Sequence, residues 1–153
     1  MRGYKVLLKG LTNRYGFKYE VGKTYHLRGD LKWKENGFHF CKNPEDTLRY
    51  VDAFNEEIEF CEVEGSGKIV EYEDEYYGFY DMYASSIIEL LRVVPREEIF
   101  NIVLNSHSDR VKRYVTLIKL TPDEKKEILK KYPDLQDTID YYQTEEFMVE
   151  RKR

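Results

Sequence analysis

The apolar residues of this chain change their spacing at Pro95, and this change constrains the fold more than any other feature of the sequence. Before Pro95 they form short runs bordered by turn residues, as at Tyr4–Leu8, which lies between Gly3 and Gly10. After it they recur every three or four residues, the spacing of one helix face. The sequence therefore predicts an α+β fold: a mixed, mostly antiparallel sheet over about residues 3–94, followed by a small C-terminal helical segment.

Turn residues divide the first part of the chain into further predicted strands. Four of these are short: Phe17–Tyr19, Thr24–Leu27, Gly37–Cys41 and Ile58–Val63. The glycines of Gly65–Gly67 are expected to turn the chain into a hairpin partner at Lys68–Tyr72. The run Ser85–Val94 fits a buried strand or a helix, and we favour the strand because Pro95 closes it.

Prolines mark the predicted helix starts. Asn43 precedes Pro44 as an N-cap, and the short helix that begins there is expected to reach about Phe54. Thr121 precedes Pro122 in the same way, with two acids in the first turn. A last amphipathic segment follows residue 133, and its apolar positions are Leu135, Ile139, Tyr142 and Phe147.

Length and composition limit the class of protein. A chain of 153 residues is long enough for one domain with a sizeable core, so we expect a single domain over 1–153, strand-rich over 1–94 with a helical tail over 95–153. Apolar residues make up 41% and charged residues 35%, which argues against wholesale disorder. Charge-free runs fall far short of the ~20 residues of a membrane helix, and two cysteines are no disulfide framework. These features predict a cytoplasmic protein without membrane contact.

The charges are distributed very unevenly along the chain. Residues 1–34 carry nine Lys or Arg against two Asp or Glu, whereas residues 35–81 carry three against fourteen. A net charge of −4 disfavours direct nucleic-acid binding, which needs a positive surface. The acidic block predicts either a basic partner or a well-solvated face.

The segment 71–83 is the densest part of the acidic block, with five acidic and six aromatic residues. Tyrosine supplies rigid amphipathic contact area, and carboxylates between rings can offer a basic protein groove both charge and stacking. We therefore predict a surface that binds a host protein with a basic surface, formed by Glu71, Tyr72, Glu73, Asp74, Glu75, Tyr76, Tyr77, Phe79, Tyr80 and Asp81. The alternative is a tyrosine-rich strand and turn that packs its rings on the core and keeps its acids in water.

His39 and Cys41 lie two residues apart on a predicted strand, so their side chains share a face. With His26 and Cys61 they supply the donor types of a tetrahedral zinc site, but no pair has the spacing of a zinc-binding loop. A Cys–His nucleophile pair is a second interpretation, although the apolar neighbours of Cys41 raise the pKa of a thiol. Buried structural side chains explain these residues better, and we predict no metal site and no cofactor.

Three motifs resemble a known family: YEVGKTY at Tyr19–Tyr25, GFHFCKNPED at Gly37–Asp46 and EVEGSGKIV at Glu62–Val70. They are similar to small uncharacterised proteins of phages and bacterial prophages, over about residues 3–94. That family has no assigned activity. The resemblance implies an intracellular phage-type accessory protein, a class whose members often act on host machinery or host defences.

The strand Gly37–Cys41 and the following Asn43–Tyr50 are also similar in outline to ADP-ribosyltransferases. In those enzymes a Gly–aromatic–x–aromatic–Ser/Thr strand precedes a short helix that packs on the nicotinamide pocket. The resemblance implies NAD as the substrate, with His39 and Glu89 near the nicotinamide nucleotide. Cys41 stands where Ser or Thr is usual, and Glu89 is the only late acid in a strand-like context.

These observations lead to hypotheses from different classes. The first is a non-catalytic accessory protein that uses its acidic, tyrosine-rich surface on a host protein, as an inhibitor of a nucleic-acid-handling or defence protein. The alternative is an ADP-ribosyltransferase-like enzyme that uses NAD. A structural virion component, which would self-associate without a host partner, is the third.

Overall fold

The structure, a computed structural model, describes residues 1–32, 36–50, 57–74 and 79–144, and for residues 73, 74, 79 and 80 the backbone alone. The chain divides into two compact units, Met1–Val51 with Glu57–Arg96, and Asp52–Glu56 with Glu97–Arg153. The division falls next to Pro95, where the spacing of the apolar residues changes. A single domain over 1–153 stays a prediction.

Five strands form the first unit: β1 (Arg2–Leu8), β2 (Thr24–His26), β3 (Phe38–Cys41), β4 (Ile58–Asp74) and β5 (Phe79–Val94). The pairings between them are antiparallel, in the order β2-β5-β3-β1-β4, and β5 pairs with β4 as well. Because β4 pairs with β5 as well as with β1, the strands β1, β4, β5 and β3 form a closed ring. The sheet is therefore a small barrel, with β2 and β3 end to end along one edge of β5.

Side chains that alternate along the strands fill the inside of the ring. They belong to one buried hydrophobic cluster: Leu7, Tyr19, Phe40, Cys61, Val63, Tyr83, Ile88 and Leu90. Two glycines make room for the Phe40 ring. A Cβ on Gly65 would lie 2.5 Å from ring carbon Cε1, and a Cβ on Gly3 would lie 2.8 Å from Cδ2. Phe40 thus packs directly on the backbones of β1 and β4.

The predicted hairpin at Gly65–Gly67 is wrong. β4 runs unbroken through these residues, with a register shift against β5 between Ser66 and Ile69. Gly67 has a φ of +72°, which L residues rarely adopt, and it produces a bulge instead of a turn. β4 forms its hairpin with β5, which confirms the predicted strand Ser85–Val94 and extends it.

The predicted strand Phe17–Tyr19 is also wrong. At this place the described chain has an isolated bridge between Lys18 and Thr12. The side chain of Asn13 is the physical reason, because its Oδ1 accepts hydrogen bonds from the N–H groups of Tyr15 and Phe17, both at 2.9 Å. A local turn therefore uses backbone donors that a strand would need.

Asn43 and Pro44 begin a helix as predicted, a 3-10 helix over Pro44–Tyr50. Its expected end near Phe54 lies outside the described residues. Glu45 and Asp46, the acids of its first turn, are fully buried. Asn43 Nδ2 donates to Asp46 Oδ2 at 3.2 Å, so this carboxylate keeps a partner under the sheet.

Helices follow Pro95: α1 (Arg96–Leu104), α2 (Ser108–Leu117), α3 (Pro122–Lys131) and α4 (Gln136–Tyr142), with a 3-10 turn at Pro133–Leu135. The predicted start at Thr121 is confirmed as a capping box. Thr121 Oγ1 accepts from the N–H of Glu124 at 3.2 Å, and Glu124 Oε1 accepts from the N–H of Thr121 at 2.9 Å. Phe147 lies outside the described residues. The predicted α+β class is confirmed, and none of the helices described is both long and apolar enough to cross a membrane.

Candidate functional site

The ring of strands opens between β1 and β3. β1 pairs with β4 along its whole length, from Arg2 to Leu8, but with β3 it pairs at one described position, Tyr4 opposite Cys41. Beyond Tyr4 the two strands separate. A cleft of about 410 Å³ lies at this opening, and its volume is within the range of small-molecule sites.

The cleft is lined by β1, the loop that follows it, β3 and the 3-10 helix. The lining residues that can do chemistry or bind charge include Lys5, Arg14, Tyr19, His39 and Tyr50. Two of them are cations, whereas no Asp or Glu is found among the described residues that line the cleft. A cleft with this charge favours an anionic ligand.

Lys5 occupies the gap between the separating strands. Its Nζ donates to the backbone carbonyl of His39 at 2.7 Å and lies 5.6 Å from the centroid of the Tyr19 ring. Burial is the largest cause that lowers the pKa of Lys5 to about 8, from an ordinary value of ~10.4. Near neutral pH a measurable fraction of this amine is therefore uncharged.

Two tyrosine rings lie close to the imidazole of His39. The ring centroid of His39 lies 5.8 Å from that of Tyr50 and 6.3 Å from that of Tyr72. Burial, followed by the charge of Lys5, lowers the pKa of His39 to about 4, so the imidazole is neutral at pH 7. Burial likewise raises the pKa of Tyr50, and its hydroxyl is hydrogen-bonded to that of Tyr72. The imidazole of His39 and the phenol of Tyr50 are thus uncharged rings, and the charge of Lys5 contributes to the lowered pKa of His39.

Arg14 joins the loop after β1 to the end of the 3-10 helix. Its Nε donates to the backbone carbonyl of Tyr50 at 2.7 Å, and its side chain is exposed. The neighbouring Tyr15 is 94% exposed and also lines the cleft. Arg14 and Tyr15 therefore both lie at the solvent side of the cleft.

The two cysteines point to opposite faces of the sheet. Cys41 lies opposite Tyr4 and Cys61 lies opposite Lys5, and successive residues of β1 face opposite ways. Burial raises the pKa of the Cys41 thiol and, as the largest cause, raises that of Cys61 to about 12. Both thiols are protonated at neutral pH, which disfavours a nucleophile pair with His39. Within the described residues, no group of three or more His, Cys, Asp or Glu could hold a metal ion.

The acidic block is partly neutralised by the basic block that precedes it. Ion pairs across β1 and β4 include Arg2–Glu62 at 3.3 Å, Lys9–Glu57 at 3.2 Å and the N-terminal amine–Glu64 at 2.8 Å. Antiparallel pairing of the two strands brings these charges together. Part of the charge asymmetry read from the sequence is therefore satisfied inside the first unit.

The predicted partner-binding segment is described at its two ends. Glu71 is exposed, Tyr72 and Asp81 are half-buried, and Tyr83 is buried. Asp81 Oδ2 accepts from Asn43 Nδ2 at 3.1 Å. The side chains of Glu73, Asp74, Glu75, Tyr76, Tyr77, Phe79 and Tyr80 lie outside what the structure describes.

His39 and Glu89 are not brought together in the cleft. His39 lines it, whereas Glu89 lies on β5 opposite Thr24 and Glu64 and is not among the described lining residues. Sequence reasoning missed Lys5 and Arg14. A lysine inside the apolar run Tyr4–Leu8 was the available signal for Lys5.

Comparison with known proteins finds a family whose model matches the first part of the chain. The model of a family described as "Domain of unknown function (DUF7666)" matches residues 1–91. The match includes β1, β3, β4, the 3-10 helix and most of β5, and it ends before α1. No curated protein and no solved structure matches the chain.

Proposed function

Since the chain belongs to the DUF7666 family, whose function is unknown, we propose a function from the geometry of the matched part: it binds an anionic nucleotide of the NAD class in the cleft between β1 and β3. One observation carries the proposal. Two cations and two neutral rings, Lys5 and Arg14 with His39 and Tyr50, line one cleft of about 410 Å³. A nucleotide needs both kinds of contact, because it joins a planar base to a charged phosphate.

Each end of such a ligand has suitable partners. Arginine binds phosphate through hydrogen bonds assisted by charge, and Arg14 is exposed at the cleft. The planes of His39 and Tyr50 are suited to stacking on a base. The choice of the NAD class depends on the order of β3 and the 3-10 helix, which is similar in outline to ADP-ribosyltransferases.

We propose binding as the function, and not ADP-ribosyl transfer. A transferase needs a carboxylate near the ribose to stabilise the developing positive charge, as glycoside hydrolysis does. Glu89 was the candidate for this role, and it is not among the described residues that line the cleft. Absence of label transfer from NAD to protein, with or without Glu89→Ala, is therefore expected.

Calorimetric titration of the protein with NAD tests the proposal. We expect saturable binding to the wild type and a loss of about tenfold in affinity for Arg14→Ala, since a hydrogen bond to a charged group contributes about 1.5 kcal/mol or more. Arg28→Ala is the matched control, because Arg28 is also exposed and lies outside the described lining. Equal affinities for the two variants, or no binding to the wild type, would contradict the proposal.

A second function, the binding of a basic host protein by a phage-type accessory protein, is favoured by the position of Glu71. This exposed residue lies on β4 beyond Glu64, the last residue of β4 that pairs with β1. The pairing of β1 with β4 therefore ends before the part of β4 that carries Glu71.

The test of this second function uses the charge of the segment. Salt-sensitive capture of a basic protein should be lost when Glu73, Asp74 and Glu75 are replaced by Lys, since screening acts on exposed charges. The control is the same charge change in the second unit, at the exposed residues Glu127, Asp134 and Asp137. Capture that both triple variants retain, or both lose, would count against a surface at this segment.

A further inference from the structure

We propose that Lys5 is a covalent attachment site, at which its amine forms an imine with a phosphorylated aldehyde bound in the cleft. The proposal uses the same cleft as the proposed nucleotide binding, but it does not depend on NAD as the ligand. The observation behind the proposal is the position of the Lys5 amine. Lys5 lies on a strand and lines a cleft of about 410 Å³.

The geometry holds this amine in place. Lys5 is half-buried, and its Nζ is fixed by the carbonyl of His39 at 2.7 Å and by the Tyr19 ring at 5.6 Å. Lys9, at the end of the same strand, is exposed and pairs with Glu57 at 3.2 Å. The two lysines thus differ in the property that matters for a nucleophile. Lys5 lies in a cleft whose described lining contains no carboxylate, whereas Lys9 is paired with one.

Burial favours the uncharged form of Lys5. Lys5 lines the cleft together with Tyr19, His39, Tyr50 and Arg14, and it interacts electrostatically with the thiols of Cys41 and Cys61. Arg49 acts on the neighbouring His39 and Cys41. The histidine, the thiols and the phenols are all neutral at pH 8, because the pKa of His39 is lowered to about 4 and those of Cys41, Cys61, Tyr19 and Tyr50 are raised. The arginines are cationic. Burial lowers the pKa of Lys5 to about 8, and the interactions with Cys41 and Cys61 act in the opposite direction.

The chemistry needs no oxidant or reductant. The lone pair of the neutral amine adds to the carbonyl carbon of the aldehyde and forms a C–N bond, and the oxygen takes a proton from nitrogen. Loss of the hydroxyl with a second proton then releases water and leaves a C=N bond. Uncharged lysine amines in apolar sites are the ones that form such imines. Arg14 supplies the charge that would hold the phosphate.

Labelling with pyridoxal 5′-phosphate tests the inference on the wild-type protein. After reduction with borohydride, peptide mapping gives the labelling rate of each lysine. We expect Lys5 to be labelled faster than Lys9 by about tenfold or more at pH 8, since about half of its amine is neutral there, against about one in 250 for an ordinary lysine. The rate at Lys5 should reach half of its maximum near pH 8. Uniform labelling, or labelling that spares Lys5, would overturn the inference.

Two comparisons complete the experiment. Arg14→Ala should slow labelling of Lys5 by pyridoxal 5′-phosphate but not by pyridoxal, which lacks the phosphate, and equal effects on both reagents would contradict the role of Arg14. Lys5→Arg should remove the fast site, with Lys9→Arg as its control. If Lys5→Arg does not fold, the wild-type map still decides, because it contains every lysine. Failure of NAD to bind would leave a fast Lys5 unaffected, so the two proposals fail separately.

Discussion

Cys41 and Cys61 illustrate how burial sets the chemistry of single side chains in this protein. Both are completely buried, and burial is the largest cause of the raised pKa of each thiol. For Cys41 the neighbouring Asp46 raises the pKa further, whereas Lys5 and Arg49 lower it. The thiolate, which is the reactive form of cysteine, is thereby suppressed at neutral pH.

We therefore predict that neither thiol reacts with Ellman's reagent in the folded protein at pH 7. Both should react after unfolding in guanidinium chloride, where each cysteine regains its ordinary pKa of ~8.5. Absorbance of the released dye gives the number of reactive thiols in each state. Rapid reaction of one thiol in the native protein would contradict the burial of that residue and reopen a nucleophilic role for Cys41.

The sequence pointed to His39 and overlooked Lys5 for a physical reason. His39 belongs to a recognisable local motif, Gly37–Cys41, whereas a lysine in a strand is usually a solvated side chain. The position of Lys5 in the cleft depends on where β3 separates from β1, and no residue near Lys5 in the sequence indicates where that separation occurs. The position of the Arg14 side chain likewise depends on a distant residue, because its Nε donates to the carbonyl of Tyr50, 36 residues away.

At the scale of elements, β4 is the strand on which the ring depends. It pairs with both β1 and β5, and it bends at Gly65–Gly67 to do so. Gly65 also receives the Phe40 ring from β3, since a Cβ there would lie 2.5 Å from that ring. One glycine thus permits the contact between the inner faces of β3 and β4.

Gly65→Ala should accordingly lower the free energy of unfolding by about 1–3 kcal/mol, the usual cost of overpacking a core. Ser66→Ala is the matched control, because Ser66 is the next residue of the strand and is exposed. Urea unfolding followed by circular dichroism measures both variants. An effect of Gly65→Ala no larger than that of Ser66→Ala would show that Phe40 does not pack as described.

The periodicity of the sequence predicted most elements correctly, because strands and helices repeat within a few residues. The strands at Tyr4–Leu8 and Ser85–Val94 and the capping box at Thr121 are all confirmed. The predictions were wrong where the same local residues suit two different structures. The glycines of Gly65–Gly67 suit a bulge as well as a turn, and the choice is made by pairing with distant β5.

At the scale of the whole chain, pairing between strands that are distant in sequence determines both which charges are neutralised and which residues line the cleft. The basic first block and the acidic second block are adjacent in space because β1 and β4 are antiparallel neighbours. The cleft likewise combines Lys5, Arg14, His39 and Tyr50, which come from four separate segments. Composition could show the charge blocks but not which charges neutralise each other. It could not show that the ring opens at β3.

The most direct test of the nucleotide-binding cleft is a map of backbone amide chemical shifts during titration of the full chain with NAD. The account predicts saturable shifts at the amides that line the cleft, among them Lys5, Val6, Arg14, His39 and Tyr50. The amides of Glu71 and of helices α2 and α3 should stay in place. The absence of saturable shifts, or shifts centred on Glu71 with the cleft unchanged, would contradict the account.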